Sequence, residues 1–320
     1  MGGAGGAGAE GGAGPGGAPA ESCDPYQARA EVPELFVGPT GVEARMVELI
    51  DEATTSIELM MYQFNRAKIA NALIAAAGRG ATVRVLLDGA QYTNDDVRAD
   101  LTAAGIEVRD APTSFEHAHA KAMVLDAVRA VVFSGNFNSY SVTSERNYGV
   151  VDASADDVAD VRAVFEHDWS GAPLDLSCTR LVVSPDNSRE RLQELVFGAK
   201  ERLDMAVMYI SDAEVKDAVL GRAADGVPVR VLLADPSWID DNTATAAELA
   251  AAGVSARFLA KYELHAKLVI ADGAAFVGSE NLSWTSLEKN REVGVFVTEA
   301  EPFGGITETF ESDWAAGIDP

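Results

Sequence analysis

The sequence predicts an α/β protein made of two tandem sandwich units related by a pseudo-twofold axis, each a mixed sheet flanked by helices. Three observations predict this. Five landmarks recur along the chain at a nearly constant offset. Each copy alternates helical and β-rich patterns in the same order. The central strand candidates are continuous apolar runs, as expected where a sheet is covered on both faces. At 320 residues the chain also exceeds the usual size of a single core.

The elements follow in parallel through the two copies. A helix with apolar spacing opens each unit, over about 42–53 and about 190–199. A β-rich strand follows and ends at Tyr62 in one copy and Tyr209 in the other, an offset of 147. A second helix covers about 67–77 and 213–224 and is stopped by Gly80 and Gly226. The Val-Arg-Val-Leu-Leu runs beginning at Val83 and Val229 are the buried strands, offset by 146. A third helix and a short strand come next, then a strand hairpin and a closing helix. Those helices carry Asp168-Trp169 and Asp313-Trp314, offset by 145. The seam between units falls near 172–180, which divides the chain into a first unit over 33–175 and a second over 176–320.

Residues 1–22 are almost entirely Gly and Ala with Pro15 and Pro19, too poor in apolar side chains to order themselves; the expected tail runs over 1–32. They contain neither a basic n-region nor an apolar h-region. No run approaches eighteen apolar residues, so no membrane span is expected. Cys23 and Cys178 are read either as free or buried thiols or as a disulfide joining the N-terminal segment to the seam. The Gly/Ala tail, the even cysteine count and the low lysine content lean towards a secreted or cell-envelope protein, with the cytoplasm left open.

The formal charge is −25, from 50 acidic and 25 basic side chains. Such a field repels polyphosphate chains at long range and disfavours a dedicated nucleic-acid binder or tight residence on an anionic membrane. A locally basic cleft still accommodates one phosphodiester.

Two short motifs carry the chemistry. His119, Lys121 and Asp126 spell H-x-K-x-x-x-x-D, and His265, Lys267 and Asp272 repeat it 146 residues later. Within a strand, residues two apart share a face, so each His points with its Lys. The two Asp lie at odd spacing, near the turn into the next strand. A Gly-x-x-Asn follows each motif, Gly135 to Asn138 and Gly278 to Asn281, and supplies amide donors. A His, a Lys and an Asn converging in this way make half of a phosphate pocket. Two halves about a pseudo-twofold place two imidazoles on opposite sides of one phosphorus. One attacks, and the other donates a proton to the leaving oxygen. The lysines and asparagines neutralise the equatorial oxygens. No metal or other cofactor is expected, and the internal pseudo-dimer completes the site within a monomer.

On these motifs the chain resembles the phospholipase D superfamily over roughly 33–320, and specifically its compact bacterial phospholipase or nuclease members. The resemblance implies a phosphoric diester hydrolase working through a phosphohistidine on phospholipid, with His119 as nucleophile and His265 as acid/base. The implied site comprises His119, Lys121, Asp126, His265, Lys267 and Asp272, with Asn138, Asn281 and Ser279 on the phosphate. In the family a carboxylate at the Glu292 place hydrogen-bonds the motif histidine. The first half departs from this pattern: Asn136 replaces a hydroxyl, with Ser134 just before it, and Asn147 or Gly149 stands where the carboxylate belongs, with Glu145 displaced. On that reading His119 is the histidine short of polarisation. A nuclease, a cardiolipin-synthase-like phosphatidyltransferase and a weakly active phosphate-binding member are the alternatives.

The remaining candidates have plainer readings. His117 shares the face of His119 but reads as a polar strand-entrance residue, and His167 as structural. Tyr62 and Tyr209 read as repeated core positions. Trp238, Tyr262 and Trp284 are packing residues or an apolar rim for substrate. Arg146 and Arg291 are equivalent ion-pair candidates.

Overall fold

The computed structural model describes residues 1–2 and 23–320. It contains two seven-stranded mixed sheets of identical topology. The first runs, in spatial order, Glu34–Val37, Tyr148–Asp152, Arg129–Phe133, Lys121–Leu125, Ser56–Met61, Thr82–Leu87 and Glu107–Asp110. The second runs Leu181–Ser184, Glu292–Val297, Ala274–Gly278, Lys267–Ala271, Leu203–Val207, Val229–Ala234 and Ser255–Leu259. In each sheet the three strands joined through helices are parallel, and the motif strand runs antiparallel both to them and to its hairpin partner.

The alternation of side chains along the strands builds three cores. In the first sheet Met123, Leu125 and Val131 pack under the helices Val42–Glu52 and Ala67–Gly78. Their neighbours Ala122, Val124 and Val132 face the other way, into a cluster shared with Leu268, Ile270 and Val277 of the second sheet. The closing helices Ala155–Ser170 and Ala300–Ala316 add Phe165 and Phe310 to that shared cluster. Burial on both faces is why these strands read as continuous apolar runs. The two halves therefore fold around one common interior, and the pseudo-twofold is held by apolar packing.

The repeat register differs from the sequence reading. Leu59 lies opposite Met123 and Val85, while Met205 lies opposite Val269 and Val231, which makes the offset 146 throughout these strands. Tyr62 is thus equivalent to Met208, not to Tyr209. The offset drops to 145 after the motifs, because the hairpin turn has three residues in one copy and two in the other. Asp126, Ala127 and Asp272 all take positive φ of 50–54° in these turns.

The expected tail has two parts. Residues 3–22 lie outside the described residues. Residues 23–32, by contrast, are fastened to the body. Cys23 and Cys178 form a disulfide. The Tyr26 ring lies 4.8 Å from that of Phe296. The Arg29 backbone N–H donates to Glu299 at 2.8 Å, and its guanidinium meets Asp157 at 2.8 Å. Buried Arg180 completes the cluster with Asp152, Asp157 and Glu299. The tail reading failed for 23–32 because pairing with distant acidic groups leaves no local composition signal.

Candidate active site

The two motif strands begin at the interface between halves, and each is led in by backbone pairing with the opposite half. Glu116 N–H donates to Lys289 O, and Arg291 N–H donates to His117 O, both at 2.9 Å. In the mirror arrangement, His265 N–H donates to Arg146 O at 3.1 Å. Each histidine is consequently presented to side chains of the other repeat. Two equivalent ion pairs lock the exchange: Arg146 with Asp313 at 2.7 Å, and Arg291 with Asp168 at 2.9 Å. Arg146 and Arg291 are structural ion-pair partners, as the sequence leads one to expect.

The exchange overturns the expected assignment of Glu292. Its Oε2 lies 2.7 Å from Nδ1 of His119, not beside the histidine of its own half. His119 is therefore the histidine with a carboxylate. His265 Nδ1 meets Asn147 Oδ1 at 3.1 Å, with Glu145 Oε2 at 3.6 Å. The sequence reading missed this because a motif comparison pairs residues within a repeat, whereas the contact lies between repeats.

The two supporting sets are the same residue types with two positions exchanged. In the second half Asn290 and Ser286 both donate to Glu292, at 3.0 and 2.6 Å. In the first, Asn147 and Ser141 both donate to Glu145, at 3.1 and 2.5 Å. At the 145 offset, Glu145 matches Asn290, and Asn147 matches Glu292. The first half keeps its carboxylate two positions earlier in the chain, with Asn147 standing between it and His265.

The same offset corrects the polar residues. Ser134 is the counterpart of Ser279, and no serine is lost. Their hydroxyls take equivalent N–H groups, Tyr148 onto Ser134 and Val293 onto Ser279, each at 3.0 Å. Ser279 is fully buried and clamps backbone, so the expected phosphate contact is replaced by a structural one. Asn281 matches Asn136, and both have a buried Oδ1 without a partner among the described residues. Asn138, expected on the phosphate, instead caps the helix Ser139–Thr143: its Oδ1 accepts from Ser141 N at 3.0 Å, and its Nδ2 donates to Gln63. Applying the 145 offset of the Asp-Trp landmark to Asn281 leads to Asn136.

Asp126 and Asp272 also leave the catalytic group. They sit at the far end of the motif strands, in the hairpin turns. Asp126 accepts from the backbone of Thr54, Thr55 and Ser56 and from both threonine hydroxyls. Asp272 accepts from Lys200, Glu201 and Arg202. Each pins its turn to the start of the neighbouring strand, and these bonds hold both carboxyls below the usual range.

The centre itself is buried and rich in charge. Lys121 and Lys267 each donate to the carbonyl of the histidine two residues before. Burial pushes Lys121 well down, and Lys267 down to about 8. Burial likewise lowers His119 to about 4 against the pull of Glu292, and takes His265 well below its ordinary value, with both lysines adding to the shift. Glu292 falls to about 2 because His119 and Lys121 outweigh its burial. An anion here would restore the protons the lysines lose on burial. Around the centre, the Tyr62 ring stands edge-on to His119 at 4.5 Å, and Trp238 lies 6.3 Å from His265. His117 packs on the same Tyr62 ring at 5.7 Å and keeps a buried Nδ1 without a partner among the described residues. His167 is structural, its Nδ1 at 2.7 Å from Ala172 O. Among the described residues no cluster of His, Cys, Asp or Glu is placed to hold a metal ion.

Comparison with known proteins agrees with this architecture. The family model described as "Cardiolipin synthase, PLD-like domain" matches residues 46–169 and 192–314. The cardiolipin synthase A of Edwardsiella ictaluri is 26% identical over 325 residues, covering 85% of this chain and 66% of that protein. A phospholipase D of Rickettsia conorii is 32% identical over 120 residues, 37% of this chain and 58% of that protein. The chain thus spans about two thirds or less of the length of these relatives. The phosphatidylserine synthase of Haemophilus influenzae superposes with a TM-score of 0.70 at 12% identity, over 90% of this chain and 87% of that one, which is a likeness of fold.

Proposed function

The chain belongs to the phospholipase D superfamily, and on that premise we propose that it cleaves the phosphodiester of a phospholipid and passes the phosphatidyl group to an oxygen acceptor through a phosphohistidine at His119. The observation that carries this is the reciprocal crossing of the two histidines with the opposite half, above all the Glu292–His119 pair at 2.7 Å.

The chemistry follows from the placement of protons. With Nδ1–H of His119 donating to Glu292, Nε2 keeps its lone pair and attacks phosphorus. The phospho-imidazole formed is cationic, and Glu292 lies against it. The P–O bond to the leaving group breaks as His265 delivers a proton to that oxygen. His265 carries no carboxylate directly, but the substrate phosphate and Glu145 both favour its charged form. An acceptor hydroxyl then gives its proton to His265 and attacks phosphorus, and the P–N bond breaks. Lys121, Lys267, Asn136 and Asn281 are the groups we assign to the non-bridging oxygens.

The acceptor distinguishes two readings. Transfer to an alcohol is favoured by the cardiolipin synthase family model and by relatives of that name across most of the chain. Hydrolysis, with water as acceptor, is the second reading, supported by the shorter match to a phospholipase D. The test is incubation with phosphatidylglycerol and phosphatidylethanolamine, with product lipids separated by mass. Phosphatidic acid means hydrolysis, and a phosphatidyl-alcohol means transfer. Cleavage of single-stranded DNA with no lipid turnover sinks both. The His119→Ala/His265→Ala protein must be inert in every arm.

A further inference from the structure

We infer that the mouth of the site is an interfacial docking surface which seats the protein on the headgroup layer of a phospholipid bilayer. The inference rests on the phospholipid reading above. Among the described residues the exposed Tyr and Trp side chains are four: Tyr92, Tyr140, Trp238 and Trp284, at 82%, 60%, 36% and 55% exposure. Every one adjoins a group of the site. Tyr92 follows Gln91, which donates to the hydroxyl of Tyr62 beside His119. Trp238 lies in the equivalent loop of the second half, against His265. Tyr140 and Trp284 stand in the first turns of the two short helices that follow Asn136 and Asn281. Tyr92 and Trp238 are equivalent at the 146 offset, and Tyr140 lies one position beyond the counterpart of Trp284 in the equivalent helix, so each repeat contributes two exposed rings.

A folded protein gains nothing by holding four large rings in water near the groups of its site, since each forgoes stabilising burial. Tyr and Trp combine an apolar body with a polar tip, which suits the headgroup layer and neither bulk water nor the hydrocarbon core. The phosphodiester lies at that depth, so rings inserted there bring the phosphorus level with the histidines. Charge complementarity supports the same occupant. In a chain of net charge −25, two lysines sit at this rim: Lys289 is 5.2 Å from the Trp284 ring, and Lys261 is 5.0 Å from Tyr262, three residues before His265. Both face lipid phosphates in the docked state. The overall negative charge makes the surface one for zwitterionic bilayers, anchored by aromatic insertion more than by attraction to anionic lipid. Among the described residues no helix is long and apolar enough to cross a membrane, so no described helix anchors the site to the bilayer by spanning it.

The test compares the parent with Tyr92→Ser/Tyr140→Ser/Trp284→Ser, which leaves Trp238 and all groups of the centre in place. Binding to phosphatidylcholine vesicles is measured by sedimentation, independently of turnover. Turnover is measured on the same vesicles and on a short-chain phosphatidylcholine below its critical micelle concentration. The expected result is vesicle binding weakened at least about tenfold, vesicle turnover falling with it, and monomer turnover unchanged. Vesicle binding equal to the parent's overturns the inference, as does an equal loss on monomeric substrate. Binding that demands anionic lipid and vanishes in about 0.5 M salt also overturns it, since the anchor is then electrostatic. If the parent cleaves no phospholipid in either form, the functional reading has failed; the vesicle-binding result still judges the surface by itself.

Discussion

Glu292 and His119 belong to different repeats and meet at 2.7 Å, both buried, which makes the second repeat the source of the first histidine's polarity. The first repeat returns a weaker favour, giving His265 the amide of Asn147 with Glu145 behind it. Two copies of one unit have in this way become unequal partners. The inequality fits unequal tasks: the histidine that becomes cationic when phosphorylated has the carboxylate.

This asymmetry predicts unequal mutational costs. Glu292→Gln keeps the shape and removes the charge, and turnover is expected to fall by about 10²–10⁴-fold, as when the orienting carboxylate of a triad is neutralised. Glu145→Gln, which does not directly hydrogen-bond either histidine, is expected to cost about tenfold or less. Quench-flow with isotopically labelled lipid phosphate, followed by peptide mapping, should find the acid-labile phosphate on His119. Label on His265 would reverse the assignment.

The buried cations predict the pH profile. Burial holds Lys267 down to about 8, so free enzyme loses an anion-binding charge above that pH and kcat/KM declines there. Saturating substrate stabilises the protonated lysine and moves the limb in kcat upward. Lys267→Arg, with a guanidinium that stays charged, should remove the limb near 8 even if overall activity drops. Stability has its own window. His119 titrates near 4 in the folded protein against 6.5 for the free side chain, so the unfolded chain takes up the proton first. Its contribution is complete above about 6.5 and is lost as pH falls towards 4. Glu292, depressed from 4.5 to about 2, extends the loss to lower pH. Thermal melts across this range should show Tm falling steadily, and Glu292→Gln should remove the lower part of the slope.

The register correction yields a paired test. Asn136→Ala and Asn281→Ala remove equivalent amides from the centre and should each raise KM and lower kcat, together by about 10- to 100-fold. Asn138→Ala removes a helix cap and should cost about 1 kcal/mol of stability with kinetics nearly unchanged. If Asn138 proves the catalytically sensitive position, the original Gly-x-x-Asn alignment was right.

The fold was legible in the sequence because duplication and apolar runs are properties of long windows. The offset of about 146 residues, and strands such as Val229–Ala234, apolar but for Arg230, leave few other architectures. The His-x-Lys pairs were legible because a strand fixes which residues share a face. What was hidden has a common physical origin. Glu292 on His119, Asn147 on His265, Arg291 on Asp168 and Arg29 on Asp157 all join residues more than a hundred positions apart. Three of these four contacts cross between repeats, where comparing the copies with each other misleads. Asn136 was hidden by something smaller, one residue more in a hairpin turn.

That turn carries the last prediction. Asp126 and Asp272 are the final letters of the motifs, yet each is spent on backbone N–H groups at the start of the neighbouring strand. Substitution should therefore be felt in stability and not in chemistry. Asp126→Ala strands three backbone donors and two hydroxyls at the start of the neighbouring strand and frees a turn held at positive φ, and is expected to cost about 1–3 kcal/mol, kept modest because water can replace part of the carboxylate's role. Asp272→Ala, with fewer bonds to lose, should cost less. Denaturant melts give the ordering, and kcat per folded molecule should stay within a few-fold of the parent. Loss of turnover in a variant with an unchanged melt would return these aspartates to the catalytic group, and would require a proton path along the whole motif strand from the turn to Lys121 or Lys267.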